Sequence, residues 1–514
     1  MGKITETIIN RFDGGIVNDP RDPAENTARI VSNFDIITNP RKMTPYRDSE
    51  SGDSAASTSQ KQNFCIALRT GTTYSLYALG VQSGTGQAEV LYKDFTTGAA
   101  NDLDDDSWAA TANNQSGSGS VNFNCFVYYK KTGLIYMGRA GTHIAAYDPS
   151  GSAAFSDTNQ AITFSTIVQG LVHSKDDILY IAYDNKIAVN NNGSWNTTGL
   201  TLPAHYTITS LSEYGNYLAI ACAPISGIGN SRLFLWDRDT SLSTVSESID
   251  WGVGSLMILD TVDGILIGIS QKGGVGTSIT GNPAGTTSFG DRIIFRYLAG
   301  DQAIKFKEII GGANSTELPI AKQKVDNRLY FMMLVEFGGS VRDGIWSIGR
   351  SPGAPLAVVH ERTSNNDTAL ATTDTIKNFF VVGDYAFISY QAGGTFALNK
   401  TSDTATYTAS SVYESKKFDA GNPSLKKDLV GVTVTTEYLP TAGQVILEYR
   451  VDQNTAWTNI FTNTTDNSIS HSVNSSSGLL PKDYKEIEFR IESTGGAEIT
   501  SLQFTEEITG KRLY

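Results

Sequence analysis

The stretch that decides the fold begins at residue 166. It reads TIVQGLVHS (166–174), DDILYIAYDN (176–185) and KIAVNNNGSW (186–195). Its short apolar runs are bounded by Asn, Asp, Gly and Ser, which is typical of β-strands joined by tight turns. The second run is apolar on both faces, as expected for a strand covered on both sides. The stretch therefore predicts a unit of successive antiparallel strands with a buried second strand.

The same cadence recurs along most of the chain. The next unit reads YTITSLSEYG, NYLAIACAP and SRLFLWDRD, and about seven such units follow one another at a spacing of roughly 40–55 residues. Four-stranded units at this spacing are typical of β-propeller blades, because each blade has two apolar faces that its neighbours in a ring must cover. No strict repeat motif is present, and Trp236-Asp237 occurs once. Tandem β-sandwiches are the alternative, but they explain the unbroken cadence less well.

The two ends of the chain differ from this repeat. Residues 1–60 hold sparse strands and end in the low-complexity stretch SESGDSAASTSQ, whereas residues 412–514 hold six clean strand patterns. We therefore predict an all-β protein with an N-terminal arm and connector (1–60), a β-propeller of about seven blades (61–411) and a C-terminal β-sandwich (412–514).

The bulk composition narrows the function. Of 514 residues, 40% are hydrophobic, and the formal net charge is −13 without a cluster of Lys and Arg, which argues against a wide nucleic-acid footprint. Cys65, Cys125 and Cys222 each lie in an apolar run, which predicts buried thiols rather than a disulfide framework, and folding in a reducing cytoplasm. No apolar stretch reaches membrane-spanning length, so we expect no membrane insertion.

Patterns that carry chemistry are weak. The acidic run at 102–106 favours a solvated loop over a calcium site, because it lacks the glycine and the late glutamate of a hand-type loop. The Gly-rich segment 271–291 lacks a GKS or GKT motif and predicts an inter-strand insertion that could serve as a contact loop. Five histidines show no metal-ligand spacing: His143, His173, His205, His360 and His471. We expect no metal and no cofactor.

Catalysis is also not expected. The acids and arginines are scattered over the repeats, sialidase-type Asp boxes and a nucleophile elbow are absent, and no catalytic residue can be selected. A propeller glycosidase, which would need paired carboxylates at the axis, remains one alternative. A receptor- or glycan-binding appendage is the other, since the chain has 23 tyrosines, although most of them fit half-buried strand positions.

The two ends carry a resemblance to a known class of protein. The opening combines a Phe-x-Gly-Gly-Ile element, an Asn-Phe-Asp stretch and a Lys-x-x-Pro-Tyr turn, formed by Phe12, Gly14, Gly15, Ile16, Asn33, Phe34, Asp35, Lys42, Pro45 and Tyr46. This opening resembles the start of virion structural proteins of tailed bacteriophages. The ending, with YESKKFDAGNPSLKKDLVGVTV and EIEFRIESTGGAEITSLQFTEE, is similar to the terminal β-domains of such proteins.

The resemblance implies a tail component, such as a ring-forming nozzle or tail-tube subunit around the DNA exit channel, although nozzle subunits are usually larger than this chain. Its partners would be other copies of itself in a ring and neighbouring tail or connector proteins, with DNA passing through without specific binding. Its place would be the virion, assembled in the bacterial host cytoplasm. The residues that we expect to contact neighbours lie in the N-terminal region: Phe12, Gly14, Gly15, Asn33, Phe34, Asp35, Pro45 and Tyr46.

Overall fold

The computed structural model divides the chain into two compact units. Unit 1 comprises residues 1–49, 344–368 and 402–514, and unit 2 comprises residues 50–343 and 369–401. The structure describes residues 3–17, 21, 26–51, 59–82, 88–94, 108–110, 125–139, 143–150, 155–161, 167–225, 229–242, 244–272, 292–310, 321–337, 340–364, 375–383, 385–392, 395–402, 407 and 410–509.

Apart from one short 3-10 turn at Ser475–Ser477, the regular structure of these residues is β-strand. In chain order the strands are β1 (Lys3–Ile9), β2 (Ala28–Ser32), β3 (Phe34–Asp35), β4 (Thr44–Pro45), β5 (Ser49–Ser51), β6 (Ser59–Thr70), β7 (Thr73–Gln82), β8 (Ala88–Asp94), β9 (Ala109–Ala110), β10 (Phe126–Tyr129), β11 (Leu134–Arg139), β12 (His143–Tyr147), β13 (Phe155–Ala161), β14 (Ile167–His173), β15 (Ile178–Tyr183), β16 (Lys186–Asn191), β17 (Ser194–Thr201), β18 (Tyr206–Tyr214), β19 (Tyr217–Pro224) and β20 (Asn230–Trp236). They continue with β21 (Glu247–Val253), β22 (Ser255–Val262), β23 (Ile265–Lys272), β24 (Arg292–Ala299), β25 (Gln302–Ile310), β26 (Lys322–Val325), β27 (Arg328–Phe337), β28 (Ser340–Gly349), β29 (Ala357–Arg362), β30 (Thr375–Val382), β31 (Tyr385–Ala392), β32 (Thr395–Thr401), β33 (Ser411–Ser415), β34 (Lys427–Thr436), β35 (Gln444–Val451), β36 (Thr458–Asn463), β37 (Ser470–Asn474), β38 (Ile487–Thr494) and β39 (Ile499–Ile508).

Unit 2 is a β-propeller, as predicted. In its described residues seven blades follow one another along the chain. Six are four-stranded sheets, in the orders β6-β7-β8-β9, β10-β11-β12-β13, β14-β15-β16-β17, β18-β19-β20-β21, β22-β23-β24-β25 and β30-β31-β32-β5, and the sixth blade in chain order consists of the three neighbouring strands β26-β27-β28. Strand β28 crosses the boundary between the units after Asp343. Strand β30 of the seventh blade contacts β6 of the first blade. The fourth strand of the seventh blade is β5, which comes from the start of the chain. The ring is therefore closed by a strand distant in sequence.

The second strand of each blade is an interior strand of its sheet. In β15 and β19 nearly every residue is buried, with only the first residue partly or fully exposed. Such a strand is covered on both faces by the neighbouring blades, which is why its sequence is a continuous apolar run rather than an alternation. One packed interface, between the third and fourth blades, contains Tyr180, Leu211 and Trp236.

Unit 1 holds two sheets that pack against each other. One has the order β1-β39-β34-β37, and in the other the C-terminal half of β28 leads through β29, β2, β33, β38 and β35 to β36. Phe504 of the first sheet packs against Phe489 of the second with ring centroids 4.8 Å apart. Two sheets with an aromatic core between them form a β-sandwich. The six strand patterns predicted after residue 412 correspond to β34–β39.

Unit 1 differs from the predicted boundaries at the start of the chain. The described residues of 3–49 do not form a separate arm, because β1 pairs with β39 from Lys3↔Ile508 to Ile9↔Leu502 and β2 pairs with β33. The predicted propeller range 61–411 also differs, since residues 344–368 and 402–411 belong to unit 1. There β29 pairs in parallel with β2 at Ser32↔His360. Local periodicity predicts that a segment is a strand but not which sheet it joins.

Candidate assembly surface

The N-terminal residues predicted to contact a neighbour are largely buried within unit 1. Phe12 is 1% exposed and meets Tyr413 edge-on at 5.5 Å, and Phe34 is completely buried. Gly14 donates its amide to Asn26 O at 3.1 Å. Gly15 has φ +71°, and a Cβ there would lie 2.9 Å from the amide nitrogen of Val358, so the close approach of these backbones requires glycine.

The other predicted contact residues build turns. Asn33 has φ 61° and donates from Nδ2 to Ser410 O at 3.1 Å, and its carbonyl accepts the Tyr46 amide at 3.1 Å. Asp35 Oδ1 accepts the amides of Ile37 and Thr38. That interaction stabilises the turn that follows β3, in the connection to β4, and in this short strand pair Pro45 lies opposite Phe34.

Tyr46 joins a polar cluster of unit 1. Its hydroxyl donates to Glu361 Oε2 at 2.5 Å, and the Arg362 guanidinium lies 4.5 Å from the centre of its ring. All eight predicted residues thus already have structural roles in the chain. That they also contact a neighbour stays a prediction.

Strand β1, unlike those eight residues, has large apolar side chains that are exposed. Ile4 is 65% exposed and Ile8 is 55% exposed, and Glu6 between them is also exposed and accepts a hydrogen bond from Gln503 Nε2. In the described residues β1 pairs on one side only, with β39, in a register without shifts. An edge strand with exposed aliphatic side chains and unpaired backbone groups is a template for strand addition. We call β1 with its outward residues Ile4, Glu6 and Ile8 the β1 edge.

The opposite edge of the same sheet is β37, which pairs in the described residues with β34. Its outward residues Ser470, Ser472 and Asn474 are exposed, and His471 between them is buried. Thr433 of β34 hydrogen-bonds Ser472 across the same outer face at 2.9 Å. We call this strand the β37 edge; like the β1 edge it has one unpaired side, but its outward face is small and polar.

The second sheet of unit 1 carries a network of ion pairs. Among the described residues it links five cations and five anions, namely Arg21, Arg29, Lys417, Arg450, Arg490, Glu414, Glu448, Glu486, Glu488 and Glu492. Glu488 lies at its centre, with 3% of its side chain exposed and contacts to Arg29, Lys417 and Arg450. Burial raises the pKa of Glu488, whereas the hydrogen bond from Arg21 lowers the pKa of Glu486. The network makes this face a self-compensated surface.

The inner strands of unit 2 carry a second polar array. In five of the described blades, the first strand has a register shift against the second, at 61/63, 167/169, 208/210, 256/258 and 376/378. An extra residue bends such a strand and redirects the next side chain. The polar residues there reach the neighbouring blade: Gln169 Oε1 accepts the Leu211 amide at 2.8 Å, and Asn378 Nδ2 donates to Asn63 Oδ1 at 3.0 Å.

Lys322 is the cation of this array. Its ammonium donates to the carbonyls of Leu211 and Leu259 and lies 3.2 Å from Asp260 Oδ2, with 7% of its side chain exposed. Burial lowers the pKa of Lys322, and Asp260 partly opposes that shift. Because Lys322, Leu211 and Leu259 belong to three different blades, this contact fastens blades together. A glycosidase would need two carboxylates, and the array described here offers Asp260, which is already paired with Lys322.

The histidines and possible metal ligands noted in the sequence form no reactive site among the described residues. His360 is buried and its Nδ1 lies 2.8 Å from Ser32 Oγ; His173 and His471 are also buried, and His205 is exposed. No group of three His, Cys, Asp or Glu among the described residues could hold a metal ion. The run 102–106, residues 273–291 of the Gly-rich segment and the side chain of His143 lie outside the described residues.

The three cysteines are buried and unpaired, as predicted. Burial raises the pKa of the Cys125 thiol to about 12 and the pKa values of Cys65 and Cys222 well above their usual range. Such thiols are protonated and unreactive. Within the described residues, no helix combines the length and apolar character needed to cross a membrane.

The sequence did not single out the β1 edge. Sparse strands were predicted within residues 1–60, and the alternation of Ile4, Glu6 and Ile8 is visible in the sequence. The sequence does not show that β1 pairs with β39, almost 500 residues away. It also does not show that the other side of β1 has no partner strand in the described part of the chain.

Comparisons with known proteins found one weak structural similarity. No family model matches the chain, and no curated protein matches it. Among solved structures, the chain is similar to one described as the structure of the Dos1 propeller, with 11% sequence identity, a TM-score of 0.40 and coverage of 73% of this chain and 94% of that chain. A similarity this low carries no argument about fold or function. With the seven successive blades of unit 2, the chain is an all-β protein that contains a β-propeller.

Proposed function

We propose that this protein is a structural component of a bacteriophage tail, a ring-forming nozzle or tail-tube subunit rather than an enzyme. The observation that carries the proposal is the β1 edge, where Ile4 and Ile8 are exposed on a strand with one unpaired side among the described residues. Exposed aliphatic side chains on an edge strand favour association with another protein over the monomeric state. The resemblance of the two chain ends to virion structural proteins is the reason for proposing a phage tail as the assembly.

The charge distribution is compatible with this role. The net charge is −13, and the described cations of the second sheet are paired with carboxylates rather than free to bind phosphates. Such a surface would repel DNA weakly instead of holding it. DNA would therefore pass a ring of these subunits without specific binding, and the partners would be further copies and neighbouring tail proteins.

The mass of the purified full chain in solution tests the proposal. Light scattering behind a sizing column, over a hundredfold range of concentration, should show one closed oligomer, and negative-stain images should show rings. Comparison of phage particles produced with and without the gene should show tails that lack this component when the gene is absent. A strictly monomeric chain and complete particles without it would refute the proposal.

A receptor- or glycan-binding appendage is the second candidate. Tyr438 is 71% exposed in the loop after β34, and its neighbour Leu439 donates its amide to Ser468 O at 3.1 Å, which brings the exposed Ile469 into the adjacent loop. Exposed aromatic and aliphatic side chains on loops suit a ligand surface. Binding of the chain to host-cell glycans, lost on Tyr438→Ala, would favour this candidate; no binding is expected for a ring subunit.

A further inference from the structure

The sheet β1-β39-β34-β37 of unit 1 has two edges of different character. The β1 edge is seven residues long, in unbroken register with its neighbour, and free of proline and bulges, which are the common devices that keep edge strands from pairing. The β37 edge is five residues long and equally free of proline. Both edges have one side that no described strand pairs with.

The directions of these two strands are opposite. β1 is antiparallel to β39, β39 is antiparallel to β34, and β34 is antiparallel to β37. Successive reversals along four strands make β1 and β37 run in opposite directions. Two copies of the chain in the same orientation can therefore place β37 of one beside β1 of the other as an antiparallel pair. The subunits of a cyclic ring approach this same-orientation relation, and a repeated head-to-tail contact closes into a ring.

The side chains favour this arrangement over a symmetric dimer. If two β1 strands paired with Ile4 opposite Ile8, Glu6 would lie directly opposite Glu6 of the other copy, and like charges in such a position are destabilising. Against β37, the central outward residue opposite Glu6 is Ser472, whose hydroxyl can donate to a carboxylate. Ile4 and Ile8 would then lie opposite Asn474 and Ser470, so each would be partly covered by a polar but uncharged neighbour.

We propose that the β1 edge is a docking site for the β37 edge of a second copy of this chain, antiparallel and with Glu6 opposite Ser472. The contact extends the sheet β1-β39-β34-β37 of unit 1 from subunit to subunit. This inference rests on the proposed function, because it names the contact through which the ring forms.

Cysteine cross-linking tests the contact directly. Opposed residues of an antiparallel pair have Cα atoms about 4.5–5.5 Å apart, within the range that a disulfide spans. The three native thiols are buried and should not interfere. We expect the full chain with both Glu6→Cys and Ser472→Cys to give a ladder of covalent oligomers on mild oxidation. We expect an equal mixture of the two single variants to give covalent dimers, and neither single variant alone to cross-link.

A matched control separates the outcomes. The chain with both Glu6→Cys and Leu242→Cys, the latter at a residue 61% exposed in unit 2, tests for random collision and should stay uncross-linked. Dimers from Glu6→Cys alone would show a symmetric contact and overturn the inference. An oligomeric chain whose Glu6→Cys and Ser472→Cys variant does not cross-link would overturn it as well, but would leave the proposed function standing. A chain that is monomeric throughout would overturn both.

A second variant measures the contribution of the isoleucines. Ile4→Lys with Ile8→Lys changes two exposed side chains, so the fold should be retained, while the docked pair would acquire two charges. We expect the apparent dissociation constant of the oligomer to rise at least about tenfold, with unchanged circular dichroism. Leu242→Lys is the control of similar exposure and should leave the constant unchanged. An unchanged constant in the Ile4 and Ile8 variant would contradict the inference.

Discussion

The two units of this protein treat the edges of their sheets differently. The propeller closes its ring by pairing β32 with β5 and by contact between its last and first blades, so its second strands are covered, although the terminal strands of its blades also have one unpaired side in the described residues. The sandwich leaves β1 and β37 with one unpaired side each in the described residues. A closed ring stabilises itself, whereas an open sheet edge is a site for another strand. The assembly contact proposed above therefore lies in the sandwich, at the β1 and β37 edges.

The units also differ in what links their elements. In the propeller, uncharged side chains such as Gln169 and Asn378 reach the next blade, with Lys322 and Asp260 as the charged pair of the array. The sandwich instead uses a partly buried network of carboxylates and cations around Glu488. We therefore expect the propeller to be sensitive mainly to loss of packing, and the sandwich to loss of single charges.

The largest effect should follow from opening the propeller core. Trp251→Ala removes a fully buried side chain of the cluster between the fourth and fifth blades and should lower the free energy of unfolding by about 3–5 kcal/mol. Urea denaturation followed by tryptophan fluorescence measures this. Trp195→Ala, on the outer strand β17 and only partly buried, is the control and should cost clearly less. Equal costs would show that the blade interfaces do not carry the stability of the propeller.

Next comes the centre of the sandwich network. Glu488→Ala leaves Arg29, Lys417 and Arg450 without their shared carboxylate and should cost about 3 kcal/mol, as removal of one partner of a buried ion pair does. Glu492→Ala, whose side chain is more exposed, should cost less than about 1 kcal/mol. Thermal denaturation of both variants at low and high salt decides the matter. If Glu488→Ala lowered the free energy of unfolding no more than Glu492→Ala does, the sandwich would not be especially sensitive to the loss of single charges.

Lys322→Met removes the buried lysine that contacts two other blades of the propeller. The variant keeps the approximate length of the side chain but leaves Asp260 and two carbonyls without their donor, so we expect a loss of about 2 kcal/mol. Lys324→Met on the same strand, an exposed lysine that bonds Thr261 Oγ1, should change the free energy of unfolding by less than about 0.5 kcal/mol. Stabilisation by Lys322→Met would mean that the desolvation of the ammonium outweighs its bonds.

The smallest expected effect depends on pH. Burial raises the pKa of Glu506, which accepts a hydrogen bond from the Tyr484 hydroxyl at 2.8 Å. A raised folded-state pKa means that this group favours the folded state below its unfolded pKa, near 4.5, and that the contribution is lost as pH rises through the folded value. Glu506→Gln should therefore gain stability relative to the natural chain as the pH rises from about 5 to 8, with the gain largest at the upper end of that range. Melting curves across that range measure it, with Glu507→Gln as the control; parallel curves for the natural chain and Glu506→Gln would contradict the expectation.

How far the sequence predicted this protein depends on the range of the interactions. The stretch 166–200 indicated the three strands β14–β16 and the buried second strand, because period and turn residues are local properties, whereas β17 was not singled out in it. The near-regular spacing of such units predicted the propeller, because faces that one blade cannot cover require further blades. The six strands β34–β39 and the burial of the three cysteines followed in the same way.

The tertiary structure decided what depends on distant partners. It placed Phe12, Phe34 and Tyr46 within a sandwich unit, although as sequence they resembled an arm, because their partners lie at 413 and 361 and in other distant strands. It also decided that β1 pairs with β39 on one side and leaves Ile4 and Ile8 exposed. The sequence by itself determined that this chain is an all-β protein built on blades. Which strand edges stay open was decided by long-range pairing, because no local pattern records whether a strand has one neighbour or two.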